Sequence, residues 1–185
     1  MAVSLSNIET KVRNLIGDNL SSTEDIFIYA NSTSFTLTES NVGSVTTTLV
    51  NDVESGITYS YSSTTNILTV TSSLTSGDVV RIQYTSYPTF SSTEIENYIK
   101  ASLSHISVCG YETWESINDT IYPEPNNKEE NLIAMITGLV IDPDNKGYRL
   151  PDITVNVPDD LPLHHKIAKV IARFKKDSTG VFDTI

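Results

Sequence analysis

Few side chains in this chain are of the types that catalyse reactions or bind metals, and their spacing does not place them in a common site. His164 and His165 are adjacent, and adjacent helical residues point about 100° apart, so they cannot hold one metal ion without a third ligand. The single cysteine, Cys109, follows apolar Val108 and belongs to no motif that pairs it with a base. We expect exposed histidines, a cysteine in the core and no metal site.

Three carboxylates, Glu112, Glu115 and Glu124, are the candidates for an acid–base pair of the glycosidase type. Residues 14–127 contain thirteen acidic and only two basic side chains, so accidental carboxylate pairs are expected there. The chain has neither a Gly-x-x-x-x-Gly-Lys phosphate loop nor a strand-linked Gly-x-Gly-x-x-Gly. The sequence therefore predicts a protein that is not an enzyme, with no catalytic residues and no cofactor.

Charge and hydropathy restrict the partners further. The net charge is −11, although residues 128–176 contain eight basic and seven acidic side chains. An acidic body disfavours sequence-independent binding of nucleic acid. The longest apolar run, Leu132 to Ile141, is too short to cross a bilayer, so no membrane partner is expected. A lone cysteine rules out an internal disulfide and favours folding in a reducing cytosol.

The first part of the chain changes from helical to β-strand patterns. Apolar residues at helical spacing predict a first helix that opens with a capping box of Ser6 and Glu9 and ends at Gly17. Ser and Thr then supply 29 of the 70 residues from Ser21 to Phe90. Six short strands are predicted there: Asp25–Tyr29, Ser34–Thr38, Val45–Val50, Ile57–Ser62, Ile67–Thr71 and Asp78–Tyr84. Short strands with tight turns predict an antiparallel sandwich or barrel.

The second half of the chain is helical in pattern. Ser91 and Glu94 predict a capping box for a second helix, and Asn127 is the predicted cap of a third. The third helix is apolar on nearly every side, so we expect it at the centre of a bundle. A short extended segment at residues 153–157 precedes the last helix. The buried stripe predicted for that helix comprises Leu163, Ile167, Val170, Ile171 and Phe174, with Lys166, Lys169, Arg173 and Lys176 on the opposite side.

These patterns predict an α+β fold. It consists of a four-helix bundle, an antiparallel β-sandwich or barrel inserted between the first and second helices, and an extended C-terminal arm. The predicted boundaries are residues 1–18 for the first helix, 19–90 for the β domain, 91–176 for the bundle core and 177–185 for the arm. An insertion is tolerated at a protein surface when its ends connect the end of one helix to the start of the next.

Four segments carry a resemblance to a known family. They are EIENYIKASLSHI (Glu94–Ile106), EENLIAMITGLVI (Glu129–Ile141), YRLPDITVNVP (Tyr148–Pro158) and KIAKVIARFKKDSTGVFD (Lys166–Asp183). A short first helix followed by these four segments in this order resembles the head–tail adaptors (connector or head-completion proteins) of tailed bacteriophages. These are small proteins that dock under the portal of a DNA-filled capsid. The resemblance covers roughly residues 95–185 and the first helix, and it leaves out the β domain.

The resemblance implies a structural virion protein that is made in the host cytoplasm and lies in the neck between capsid and tail. It implies a ring of about twelve identical subunits around a channel through which genomic DNA passes without specific binding. The implied partners are the portal protein, tail or neck proteins, and further copies of the chain. A C-terminal arm would grip the portal, and here its candidate residues are Lys175, Lys176, Val181, Phe182 and Ile185.

Two further predictions concern surfaces. The basic side of the last helix contrasts with the acidic body, so identical subunits side by side would match the charges, with Lys166, Lys169 and Arg173 at the subunit interface. Trp114 is either a core residue of the bundle or an anchor of that interface. The alternative function is a glycan-binding or adhesin-type module of a phage virion, suggested by aromatic side chains that stack on sugars: Tyr29, Tyr59, Tyr61, Tyr84 and Tyr87.

Overall fold

The chain divides into two compact units. In the computed structural model, the described residues are 3–54, 56–144, 147–150, 153–156 and 161–178. Met1–Gly17 and Ser92–Ile185 form one unit, here called the helical unit. Asp18–Ser91 form the other, here called the β unit.

Four helices build the helical unit: α1 (Leu5–Ile16), α2 (Ser92–Val108), α3 (Asn127–Ile141) and α4 (Leu163–Ser178). Helix α3 contacts each of the other three. All of its residues from Asn131 to Leu139 are buried, because a helix without a polar face gains most when other helices surround it. The predicted central position of this helix in the bundle is confirmed.

The ends of α1 and α3 have capping residues, and two of the predicted caps need correction. Gly17 closes α1 in the left-handed region, with φ 75°, and its N–H donates to the carbonyl of Arg13, as predicted. The predicted capping box of Ser6 and Glu9 is wrong, because the N-cap is Ser4 and Glu9 accepts a hydrogen bond from Arg13 Nε at 2.8 Å. For α3 the cap is Asn126 rather than Asn127.

The β unit contains six strands: β1 (Ser21–Ile28), β2 (Ser34–Thr36), β3 (Val42–Val50), β4 (Tyr59–Ser62), β5 (Ile67–Val70) and β6 (Val79–Ser86). All pairings are antiparallel, with strand orders β1–β6–β3 and β2–β5–β4. The predicted sandwich or barrel is wrong, because the strands form separate three-stranded sheets. Strands β2, β4 and β5 are only three or four residues long, so they offer few backbone groups to extend or close a sheet.

The interior of the β unit is a small apolar cluster. Its fully or nearly buried members are Phe35, Leu37, Leu68, Val70, Val80, Ile82 and Tyr84. Strand β6 supplies three of them by strict alternation, since successive strand residues point to opposite faces. At the two ends of the unit, Asp18 accepts hydrogen bonds from the N–H groups of Thr89 (3.0 Å) and Phe90 (3.4 Å). These bonds hold the entry and exit of the inserted segment together.

The described residues of the helical unit also form two pairs of antiparallel strands. Strands β7 (Glu115–Ile117) and β8 (Thr120–Tyr122) pair across a two-residue turn, and β9 (Gly147–Leu150) pairs with β10 (Ile153–Asn156). The sequence predicted the extended segment that contains β10, but it predicted no strand at β7 or β8. Asn118 and Asp119 both have positive φ, 48° and 59°, which is the geometry of a tight hairpin turn and a preference of these residue types.

Candidate interface surfaces

An aromatic cluster fixes the C-terminal part of α4. The ring of Phe174 meets Tyr111 edge-on at 5.8 Å, and Tyr111 lies 5.7 Å from Trp114. Lys175 Nζ donates to the carbonyl of Gly110 at 3.1 Å and lies 5.5 Å from the centroid of the Tyr111 ring, within the range of a cation–π contact. The last turns of α4 are therefore anchored to the segment that follows α2.

Burial of Tyr111 in this cluster raises the pKa of its phenol, and the nearby Glu129 carboxylate raises it further. Trp114 is only 4% exposed. Of the two roles predicted for Trp114, the structure places it in the core, where it leaves almost no surface for a neighbouring subunit.

Lys166 does not lie on the solvated side of α4, contrary to its predicted position. Its side chain is 2% exposed, and its Nζ donates to the carbonyl of Pro143 at 2.6 Å, just beyond the end of α3. The stem of a lysine is apolar enough to be buried while the ammonium reaches an acceptor, and a cation is favourable near a helix C-terminus. Lys166 thus joins α4 to the end of α3 within one chain, and its role at a subunit interface stays a prediction.

Lys169 and Arg173 are exposed on α4, together with Ala168 and Ala172. These four residues form what we call the basic face of α4. No acidic residue precedes Asp177 in this helix. The predicted buried stripe on the other side is confirmed for Ile167, Val170, Ile171 and Phe174, while Leu163 at the first turn is only partly buried.

The predicted portal-docking residues fall in two places. Lys175 and Lys176 belong to α4, which continues through Ser178 and so extends two residues into the predicted arm. Val181, Phe182 and Ile185 lie outside the described residues. The docking role of all five residues stays a prediction.

The residues considered for chemistry are scattered. His164 and His165 are exposed, as predicted, with ring centroids 4.2 Å apart. Cys109 is partly buried rather than fully in the core, and Glu112, Glu115 and Glu124 are exposed. Over the part of the chain that the structure describes, no three His, Cys, Asp or Glu residues are grouped as a metal site requires. Within the same residues, no helix has an apolar stretch long enough to span a bilayer.

The tyrosines proposed for glycan stacking differ in exposure. Tyr84 is buried, and its hydroxyl donates to Asp25 Oδ2 at 2.9 Å. The Tyr61 hydroxyl donates to Asn66 at 2.9 Å, and Tyr29 is partly buried. Tyr59, at 37% exposed, presents the most open of these rings. Glycan binding remains a prediction that no geometry in the β unit specifically favours.

An exposed apolar surface on the β1–β6–β3 sheet was missed by sequence reasoning. Ile26 and Ile28 alternate with the inward residues of β1, Asp25 and Phe27, so both isoleucines project away from the cluster. The signal was present in the sequence, since the run from Ile26 to Tyr29 is apolar at every position and therefore on both faces of a strand.

Comparison with known proteins adds no family assignment: no protein-family model matches the chain, and no curated protein shows significant similarity to it.

Proposed function

We propose that the chain is a structural virion protein, a head–tail adaptor that forms a ring beneath the portal and links the DNA-filled capsid to the tail. The observation that carries the proposal is the helical unit. Three of the segments on which the family resemblance rests begin in α2, α3 and α4. Helices α1, α2 and α4 all contact α3, whose residues from Asn131 to Leu139 are buried. The segments that carry the resemblance thus belong to one helical bundle and are not unrelated helices.

The anchoring of α4 supports the portal-docking role. Phe174 and Lys175 hold the end of this helix against Tyr111 and Gly110. The chain after Ser178 therefore starts from a fixed point on the bundle, and its sequence contains Val181, Phe182 and Ile185. A segment that starts from a rigid base loses less entropy when it binds a partner, and an aromatic residue such as Phe182 contributes more than its neighbours when a partner buries it.

The test removes Thr179 to Ile185 and measures assembly in the phage whose particles contain the protein. We expect the thermal stability of the purified variant to remain within experimental error, while its attachment to DNA-filled heads is lost. Phe182→Ala is expected to reproduce most of that loss, and Thr184→Ala serves as its matched control in the same segment. Normal infectious particles from the deletion variant would overturn the docking role.

A further inference from the structure

The outer face of the β1–β6–β3 sheet exposes two isoleucines side by side. Ile26 is 55% and Ile28 is 72% exposed. They pair across the sheet with Arg81 and Val79 of β6, and directly paired side chains project from the same face. Since β1 is an edge strand of this sheet, the two isoleucines lie at its border. Contiguous exposed apolar side chains that are bordered by charged residues are a feature of interaction sites.

The unit that carries this surface is acidic. Residues 18–91 contain seven acidic side chains and a single basic one, Arg81. Arg81 is already engaged by two carboxylates on this face, Glu24 at 3.0 Å and Asp52 at 2.8 Å. A partner that covers the isoleucines must therefore bring a shallow apolar surface and its own cations.

The basic face of α4 has these properties. Ala168 and Ala172 are one helical turn apart, about 6 Å along the axis, which is close to the roughly 6.6 Å between alternate residues of a strand such as Ile26 and Ile28. Lys169 and Arg173 flank the alanines with the same spacing. Small residues let the isoleucine side chains approach the helix, while the longer cations reach past them to carboxylates.

We propose that the basic face of α4 in one copy docks on the outer face of the β1–β6–β3 sheet in a second copy. Ile26 and Ile28 pack against Ala168 and Ala172, while the cations of α4 lie beside the carboxylates that flank Arg81. The contact is heterologous, so every copy keeps one free face of each kind until the assembly closes or grows as a filament. The proposal deepens the adaptor function and rests on it, since it identifies the surfaces that would join neighbouring subunits.

The experiment measures self-association of the full chain by sedimentation velocity up to about 1 mM, at low and at physiological ionic strength. Lys169→Glu with Arg173→Glu removes the helix face, and Ile26→Ser with Ile28→Ser removes the sheet face. Each double variant is expected to weaken association at least about tenfold, and salt is expected to weaken the association of the wild type.

Lys128→Glu and Ile117→Ser are matched controls, because both are exposed residues elsewhere. Far-ultraviolet circular dichroism verifies that every variant is folded.

Mixing the two double variants gives the sharpest result. Each retains one intact face, so the mixture is expected to form one-to-one heterodimers and nothing larger. A wild type that stays monomeric throughout, a mixture without heterodimers, or controls that weaken association equally would each overturn the contact. Attachment to heads is scored separately for the helix-face variant. Normal association of the wild type without head attachment would reject the adaptor function instead and leave the contact standing.

Discussion

The two units of the chain satisfy their buried carboxylates in different ways. In the helical unit the partner is charged: Glu9 and Arg13 pair at 2.8 Å with both side chains almost fully buried. In the β unit the partners are neutral. Asp25 accepts from the N–H of Thr38 at 2.7 Å and from the Tyr84 hydroxyl at 2.9 Å.

The difference follows from composition. With one basic residue between positions 18 and 91, the β unit has almost no cations to offer its carboxylates, so backbone N–H and hydroxyl groups take that role. Long basic side chains are available to helices, and Lys11 of α1 bonds Asn127 and Asn131 and pairs with Glu130, all on α3. A lysine thus joins α1 to α3 in the helical unit, whereas in the β unit backbone N–H and hydroxyl groups bind the buried Asp25 and the single cation, Arg81, pairs with carboxylates nearer the surface.

The largest expected effect tests whether the units are independent. Leu139→Ala in α3 and Leu68→Ala in β5 both remove a fully buried side chain, and each is expected to cost its own unit about 2–5 kcal/mol of unfolding free energy. The single tryptophan, Trp114, lies in the helical unit, so its fluorescence during denaturation reports that unit alone. Leu139→Ala is expected to shift the fluorescence transition, and Leu68→Ala to leave it in place. Equal shifts from both would mean that the units unfold together.

A smaller effect is expected at the hydroxyl of Tyr84. Burial raises the pKa of Tyr84 to about 12 from its ordinary value of 10.0, and the hydrogen bond to Asp25 adds to that rise. A raised pKa stabilises the fold below the unfolded value near pH 10, and this contribution is lost as the pH rises toward 12. Alkaline titration of phenolate absorbance should find one tyrosine titrating near pH 12 that is missing in Tyr84→Phe. The substitution should also cost about 1–3 kcal/mol, because it removes a donor from a buried carboxylate. An unchanged titration curve would contradict this assignment.

Sequence periodicity was sufficient for the four helices and the six strands of the β unit, but not for the short strands β7, β8 and β9 or for every side chain. Lys166 shows why: it shares the spacing of Val170 and Phe174, four and eight residues ahead, and so lies on the buried stripe. Residue type suggested a solvated lysine, yet position on the helix determined its burial, since an acceptor at Pro143 was within reach. Nothing local in the sequence reveals that acceptor, because it lies 23 residues away.

In the β unit, the strands were predicted but their arrangement was not. The six strands were predicted from alternation and turn residues, but the way they combine depends on pairing between distant segments. Strand β6 pairs with both β1 and β3, and the register of β3 is shifted by irregularities near Ser44 and Thr47. Such pairings leave no local trace, so the expected sandwich or barrel was wrong although its strands were present. The exposed pair Ile26 and Ile28 had a signal in the sequence, an apolar run on both strand faces, but no surface site was predicted from it.

The smallest expected effect comes from a comparison of two asparagines, one of which accepts hydrogen bonds from the backbone while the other donates them. In the helical unit, Asn126 accepts from the N–H groups of Lys128 (3.0 Å) and Glu129 (3.1 Å). In the β unit, Asn66 donates to the carbonyls of Leu37 and Glu39, both at 2.9 Å. Aspartate has the same shape but only accepts when ionised.

Asn126→Asp is therefore expected to change stability by less than about 0.5 kcal/mol, because aspartate caps helices about as well as asparagine and its charge suits a helix N-terminus. Asn66→Asp is expected to cost about 1–3 kcal/mol, because two carbonyls lose their donor and meet a negative charge. Denaturation followed by Trp114 fluorescence reports the first variant, and far-ultraviolet circular dichroism reports the second. Asn126→Ala is the positive control, with an expected loss of about 1 kcal/mol. If both aspartate variants lose the same free energy, the two units do not differ in how their asparagines satisfy the backbone. Because the exchange preserves side-chain shape, a difference between the two sites isolates the direction of the hydrogen bond from the packing around it.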